Sequence, residues 1–238
     1  MIYEPLPGQE ESEDLVHSDS RNIVSKTNRL VLADFNFKDV DRLRTFLSVG
    51  KENDRKLVVK LSDAYFLKYL SRDVKLNIPN FDHEDIVIYV PKKGSGLYQD
   101  SDYRKSDKEF LDGLNAWDAK EIIKNQNKVL CAMGFYSFSA LIDMKPEPGA
   151  TYIHSASEPY NEEQVISQQR INAWMDYFSI RKYQCHCSGH ARGKDLLQIV
   201  EEINPQKVYP IHTEHPEIYR KNFTRTTDIV EGQTYSLI

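Results

Sequence analysis

The sequence has few cysteines and no long apolar run. Three cysteines among 238 residues, with Cys185 and Cys187 one residue apart, do not make a disulfide framework, so a reducing compartment is the simpler expectation. No apolar stretch approaches the roughly 20 residues of a membrane-spanning helix, and the acidic start MIYEPLPGQEESEDL lacks the regions of a signal peptide. These absences predict no membrane association and a cytoplasmic location.

An excess of positive charge is also absent. Lys and Arg number 31 against 36 Asp and Glu, and the formal net charge is −5. This balance argues against a generally basic, non-specific nucleic-acid binder, although a local basic groove remains compatible with it. The sequence contains no glycine-rich phosphate loop of the standard kinds, and neither a His-x-His-x-Asp-His nor a His-Glu-x-x-His string. With 40% hydrophobic residues, however, the chain can build a core.

Strand-like and helix-like runs alternate along the chain. Apolar, β-rich runs are separated by stretches with helical spacing, such as 37–50 with Val40, Leu43 and Phe46. This alternation predicts β-α-β units with a mostly parallel sheet, which is an α/β fold of the Rossmann-like kind. The predicted strands are 29–33, 56–61, 85–90, 128–132, 150–154, 183–187 and 207–211, with two closing strands at 228–230 and 234–238; the main helices are 12–26, 37–50, 62–70, 108–113, 119–125, 138–142, 162–179, 193–203 and 214–222.

Three short polar turns each follow a predicted strand: 155–159, 188–191 and 212–215. Ligands of alternating strand–helix proteins bind beyond the carboxyl ends of the strands, so the three turns are expected to form parts of one site. In the first turn, the hydroxyls of Ser155 and Ser157, with Glu158 beside them and the first N–H groups of the following helix, could hold a phosphate oxygen. The alternative is that Ser157 or Asn161 caps that helix.

The second and third turns carry histidines. His190 can serve as an acid, a base or a metal ligand, or it can be structural. His212 follows a predicted strand, and Glu214 and Glu217 lie close in sequence, which is the chemistry that zinc or manganese prefers. Only His212 is nominated as a metal ligand.

Two further segments have two interpretations each. Cys185 and Cys187 with the neighbouring histidines suggest a zinc cluster, but alternation along a strand turns both cysteines to one face and His186 to the other, which favours small buried residues. The segment 91–105 is polar and contains glycine, basic residues and tyrosine. It is either a solvated, flexible loop or a loop that contacts RNA.

Two motifs in order, Ser-Gly-His-Ala (188–191) and Pro-Ile-His-Thr-Glu-His (210–215), resemble the beta-CASP branch of the metallo-β-lactamase-fold nucleases, and most closely ribonuclease J and its archaeal relatives. The resemblance runs through nearly the whole chain. It implies a remnant of a lactamase-domain strand and linker at 1–20, a beta-CASP domain at 21–182, and a C-terminal lactamase segment, the RNA-specificity region, at 183–238.

The resemblance also implies roles for individual residues. His212 matches the last metal-ligand histidine of the family, and His190 matches the histidine near the scissile phosphate, a candidate general acid. Glu4 matches the acidic residue that orients this histidine, and their hydrogen bond would raise the imidazole pKa. Ser155, Ser157, Glu158 and Ser188 match segments near which the RNA phosphate is held.

Zinc is the cofactor that the family implies, and RNA is the implied partner. The family carries its other metal ligands in an N-terminal lactamase half, which should lie before Glu4. We therefore expect a portion of a zinc-dependent RNA hydrolase that is incomplete without that half, and a separate N-terminal chain or a homodimer is compatible with this. The alternatives are a catalytically inactive RNA- or protein-binding module, an unrelated small-molecule hydrolase of the lactamase superfamily, and a plain α/β domain.

Overall fold

The computed structural model describes residues 12–187, 191, 193–211 and 213–236, and these fall into two compact units. The larger unit spans 12–187. The described part of the smaller unit lies between 191 and 236.

The larger unit is built on one parallel sheet, as the sequence predicts. Its strands are β1 (Val31–Asp34), β2 (Lys56–Lys60), β3 (Ile86–Tyr89), β4 (Ala116–Trp117), β5 (Val129–Ala132), β6 (Thr151–His154) and β7 (Arg181–Gln184). They lie in the order β4-β3-β2-β5-β1-β6-β7, and each neighbouring pair is parallel. Because the central strands are buried on both faces, they appear in the sequence as short continuous apolar runs.

Six helices cover the two faces of this sheet. They are α1 (Glu13–Ser25), α2 (Val40–Glu52), α3 (Leu61–Leu70), α4 (Ala119–Lys124), α5 (Ala140–Met144) and α6 (Glu162–Tyr177). Apolar side chains of α1, α2 and α3 pack in one core cluster, and those of α4, α5 and α6 pack in the other. The unit is therefore a doubly wound, Rossmann-like α/β domain, and the predicted fold class is confirmed.

Side-chain caps explain where several of these helices begin. Ser12, Asp39 and Asp118 accept hydrogen bonds from the third residue of α1, α2 and α4, at 3.0 to 3.1 Å. The Asn161 Oδ1 atom accepts from the backbone N–H of Gln164 at 2.9 Å and caps α6 in the same way. Of the two capping residues considered for this helix, it is therefore Asn161 that caps it.

Several predicted elements of the larger unit differ from the structure. The strand expected at 183–187 is β7 at Arg181–Gln184, because its parallel register with β6 pairs Thr151 with Arg181 and ends at His154 with Gln184. The helix expected at 108–113 is a single 3-10 turn, Lys108–Phe110, and β4 is too short to show a sequence period. The helix expected at 138–142 occupies Ala140–Met144.

The smaller unit contains α7 (Gly193–Ile203) and α8 (Pro216–Asn222) in its described part. The strand predicted at 207–211 is wrong: in this part of the chain Val208 makes one isolated parallel bridge, to Thr226. The closing strands expected at 228–230 and 234–238 do not form among the residues described there. A strand needs a neighbour to satisfy its backbone, and a single bridge does not provide a ladder.

None of the helices in the described segments combines the length and the apolar composition that crossing a bilayer requires.

Candidate functional site

The sheet order of the larger unit creates two crevices at the carboxyl ends of its strands. β1 leads through α2 towards one edge of the sheet, whereas its neighbour β6 leads through α6 towards the other. The neighbours β2 and β5 likewise lead to opposite edges. Ligands of open α/β sheets bind at such topological switch points. The two crevices are therefore the candidate sites of this unit.

The crevice between β1 and β6 is filled by a hydrogen-bonded group of side chains. The Tyr152 hydroxyl donates to Asp34 Oδ2 at 2.6 Å and lies 3.0 Å from His154 Nδ1. The phenol has one proton, which goes to the carboxylate, so the imidazole Nδ1–H donates to the phenol oxygen. Gly134 closes the group, because a Cβ there would lie 2.5 Å from Asp34 Oδ1.

Arg42 forms the second half of this filled crevice. Its side chain is only 3% exposed and makes a two-pronged contact with Glu13, through Nε at 3.1 Å and Nη2 at 2.7 Å. Nη1 donates to the backbone oxygen of Ser155 at 3.1 Å and to the Ser155 hydroxyl. Nη2 lies 3.6 Å from the Sγ atom of Cys187. One guanidinium thus ties α1, α2 and the ends of β6 and β7 together.

The protonation of this pair is fixed by its contacts. Burial disfavours the charged Glu13 carboxylate, but hydrogen bonds from Arg42 and Cys187 outweigh that effect and hold the pKa of Glu13 below its usual range. Burial likewise works against the Arg42 cation, and Glu13 outweighs it so that the pKa of Arg42 is raised. Burial first, and then the charge and hydrogen bond of Asp34, raise the pKa of Tyr152. The groups in the filled crevice are therefore held by hydrogen bonds and ion pairs with one another, and the crevice has a structural role.

The predicted phosphate-binding turn at 155–159 has one residue inside this network and two residues that are exposed. Ser155 is buried, and its hydroxyl donates to the backbone oxygen of Cys185 at 2.6 Å while accepting from Arg42. It holds the turn in place. Ser157 and Glu158 are exposed, and their side chains make no hydrogen bond within the described part of the chain. Of the three, these two are the side chains that solvent or a ligand can reach.

Four of the predicted site residues lie outside the described residues: Glu4, Ser188, His190 and His212. The prediction that they act together with the first turn therefore stays a prediction.

A zinc centre is not provided by the described residues alone. Over 12–187, 191, 193–211 and 213–236, no group of three or more His, Cys, Asp or Glu side chains is placed to hold a metal ion. Cys185 and Cys187 are both buried and pack in the same core cluster, which confirms that the two cysteines share one face. His215 lies 2.9 Å from Glu217, at the start of α8.

The crevice between β2 and β5 is open. It forms a cavity of about 350 Å³ lined by the residues that follow β2, β3 and β5. Its charged lining consists of Lys60, Lys93, Arg104 and Asp107, and its hydroxyl-bearing residues are Ser62, Tyr89, Ser137 and Ser139. The sequence did not predict this crevice, because its lining comes from segments that follow three different strands.

The segment 91–105 is folded around Asp102. Its carboxylate accepts from the backbone N–H groups of Ser95 at 2.7 Å and Gln99 at 2.9 Å. These hydrogen bonds, that of the Ser95 backbone first, lower the pKa of Asp102. Gly94 has φ +49° and a Cβ there would lie 2.4 Å from Asp102 Oδ1, so the turn requires glycine. Tyr103 anchors the segment through its hydroxyl, 2.9 Å from the backbone oxygen of Pro91.

The comparisons with known proteins give a family match for part of the chain and a fold match for nearly all of it. Residues 179–227, 49 of the 238, match the family model described as "Zn-dependent metallo-hydrolase RNA specificity domain". A crystal structure of a protein of unknown function from Enterococcus faecalis V583 is similar over 96% of this chain, with 22% identity and a TM-score of 0.62. The alignment covers 46% of that protein, so this chain spans about half its length. No curated protein matches the sequence.

These findings bear on the resemblance drawn from the two histidine motifs. The matched region contains both His190 and His212, and it supports a relationship with zinc-dependent metallo-hydrolases that recognise RNA and with the metallo-β-lactamase fold. The similar crystal structure supports the fold. The chain is an α/β protein whose last part is similar to the RNA specificity domain of zinc-dependent metallo-hydrolases.

Proposed function

We propose that this chain is the RNA-recognising portion of a zinc-dependent metallo-hydrolase that cleaves RNA phosphodiester bonds, of the beta-CASP, ribonuclease J-like type. The observation that carries the proposal is the match of residues 179–227 to the RNA specificity domain of zinc-dependent metallo-hydrolases. Both histidine motifs lie inside that region, in the order that the resemblance requires. The Rossmann-like sheet of the larger unit agrees with a beta-CASP domain preceding it.

Each residue in the proposed site has a distinct role. His212 is the metal ligand of this chain, and His190 donates a proton to the leaving oxygen of the cleaved bond, oriented by Glu4. Ser188 and the exposed Ser157 contact phosphate oxygens through their hydroxyls. Glu158 accepts a hydrogen bond from a ribose hydroxyl, the group that distinguishes RNA from DNA.

Arg42 and Ser155 play an indirect part in this proposal. Arg42 binds both the backbone oxygen and the hydroxyl of Ser155, so the turn carrying Ser157 and Glu158 starts from a fixed point. A ligand-contacting turn gains precision when the residues behind it are locked in this way. We therefore assign Ser155 a positioning role, since its hydroxyl donates to the Cys185 carbonyl and accepts from Arg42.

The remaining zinc ligands that the resemblance implies belong to a His-x-His-x-Asp-His string, which these 238 residues do not contain. We propose that a metallo-β-lactamase half, on a separate N-terminal chain or an adjoining segment, supplies them.

Cleavage of labelled single-stranded RNA tests the proposal. The chain is combined with its metallo-β-lactamase half and zinc, and the His190→Ala variant is compared with the native sequence. We expect cleavage to fall on the order of 100-fold or more, as is typical when a general acid is lost. His17→Ala is the control, because His17 contacts Ser48 and Glu52 on α2 and belongs to neither motif.

Two results would contradict the assignment. Unchanged cleavage by His190→Ala would remove that histidine from the chemistry. Salt-sensitive RNA binding by the native protein without any cleavage would favour the alternative, an inactive RNA-binding beta-CASP module. The polar turn at Ser157 and the basic segment 91–105 are what support that alternative.

A further inference from the structure

The open crevice between β2 and β5 has the position and size of a small-molecule site. It lies at a switch point of the sheet, where the connections after the two neighbouring strands lead away from each other. Its volume of about 350 Å³ falls at the lower end of the roughly 300–1,000 Å³ found for ligand sites. The matching crevice between β1 and β6 is filled by side chains, whereas this one is not.

The charged lining of the cavity is mainly basic. Lys60 stands 3.6 Å from Asp63, and Lys93 stands 3.4 Å from Asp107. Arg104 is exposed and forms no ion pair with any described residue. Positive side chains thus outnumber the carboxylates beside them by three to two. The Arg104 guanidinium has all of its N–H donors available for a ligand. A planar guanidinium matches the oxygens of a phosphate group through two parallel hydrogen bonds.

The uncharged lining suits the rest of a phosphate ester. Ser62, Ser137 and Ser139 bring hydroxyls from the segments after β2 and β5. Ser62 also lies in the first turn of α3, where backbone N–H groups have no partner within the helix. Tyr89 and Met133 provide an apolar floor, against which a flat ring can pack.

We propose that this cavity binds a nucleoside monophosphate, with the phosphate held by Arg104, Lys93 and Lys60 and the base packed against the apolar floor. The binding site belongs wholly to the larger unit and requires neither zinc nor the two histidine motifs. It is therefore independent of the proposed RNA cleavage and can be tested without it. The same phosphate ester can arrive as a free nucleotide or as the terminal nucleotide of an RNA strand.

Isothermal titration of the full chain tests the proposal, with uridine and adenosine monophosphates, inorganic phosphate, and an octauridylate with and without a terminal phosphate. We expect saturable binding of a nucleoside monophosphate, weakened on the order of tenfold in Arg104→Gln because a charged hydrogen bond is lost. Lys105→Gln is the matched control: it removes the same charge from the next residue, which does not line the cavity.

The outcomes separate the sources of the ligand and the possible failures. Binding of the free nucleotide with loss in Arg104→Gln supports a small-molecule site, and binding only of the phosphate-terminated oligomer supports a site for an RNA end. Absence of saturable binding by all probes overturns the proposal. Equal weakening in Arg104→Gln and Lys105→Gln also overturns it, because general charge attraction would then explain the binding. Thermal unfolding of the variant and of the native chain shows whether the variant is folded. We expect equal unfolding temperatures, because Arg104 has no ion pair in the described structure to lose.

Discussion

Arg42 is the residue on which the filled crevice depends. It lies in the first turn of α2, after the capping residue Asp39 and next to Leu43. The helical pattern of the sequence identifies the apolar residues as the buried ones, so an arginine is expected at the surface. The structure buries it instead, because Glu13 and the turn at Ser155 approach it from other parts of the chain. Contacts between residues far apart in sequence leave no local pattern, so this network could not be predicted.

Removing the Arg42 side chain should destabilise the protein strongly. Arg42→Ala leaves the Ser155 oxygen and part of the Glu13 carboxylate without their donor, and we expect a loss of about 2–4 kcal/mol in the free energy of unfolding, less than for a fully buried pair because Glu13 is 47% exposed. Urea denaturation measures the loss. The control is Arg21→Ala, which breaks an exposed pair with Glu52 and should cost less than about 1 kcal/mol. Equal effects of the two substitutions would contradict the structural role of Arg42.

Other residue-level expectations have mixed outcomes. The common burial of Cys185 and Cys187 was predicted correctly from their spacing of two residues, although both lie just beyond the end of β7 at Gln184 and not within a strand. The contacts of the Ser155 hydroxyl could not be predicted from the sequence, because Arg42 and the Cys185 carbonyl are both distant from it along the chain.

At the scale of elements, the strands that are buried on both faces were the easiest to predict. Apolar β-rich runs such as β1, β3 and β5 are bounded by polar turns, and their positions follow from that pattern. The order β4-β3-β2-β5-β1-β6-β7 could not be predicted, because β5 inserts between β2 and β1. This insertion depends on contacts between strands that are far apart in the sequence. The two crevices follow from this order, so they were beyond sequence reasoning as well.

Arg55 secures the amino ends of the central strands. Its guanidinium donates to the backbone oxygens of Arg29 at 3.0 Å, Gln126 at 3.1 Å and Val129 at 2.9 Å, so one side chain joins the approaches to β1 and β5. Burial lowers the pKa of Arg55. Arg55 is a buried cation that donates only to backbone oxygens in the described structure, so its role is to stabilise the sheet.

Arg55→Leu should therefore destabilise the sheet. Several carbonyl groups lose a charged donor, and we expect the free energy of unfolding to fall by about 3 kcal/mol or more. Guanidinium denaturation followed by circular dichroism gives the value. Arg29→Ala, which breaks only an exposed pair with Glu147 and keeps the Arg29 carbonyl, should lose less than about 1 kcal/mol. A stable Arg55→Leu protein would show that the carbonyls are satisfied without the guanidinium.

At the scale of the whole molecule, the chain combines a Rossmann-like unit with a segment similar to an RNA specificity domain. The fold class was predictable from alternation, because the sheet and its helices have different periods. The functional class rested on two short motifs in order, and the region matched by the family model contains both. A metal centre stays a prediction: the sequence holds one candidate ligand, His212, and no His-x-His-x-Asp-His string.

Native mass spectrometry of the protein isolated from its own source tests the central claim most directly. The proposal that this sequence works together with a metallo-β-lactamase half predicts a particle heavier than 27.7 kDa that carries about two zinc ions. A metal-free monomer of 27.7 kDa would contradict it and would leave, at most, a module that binds RNA or nucleotides.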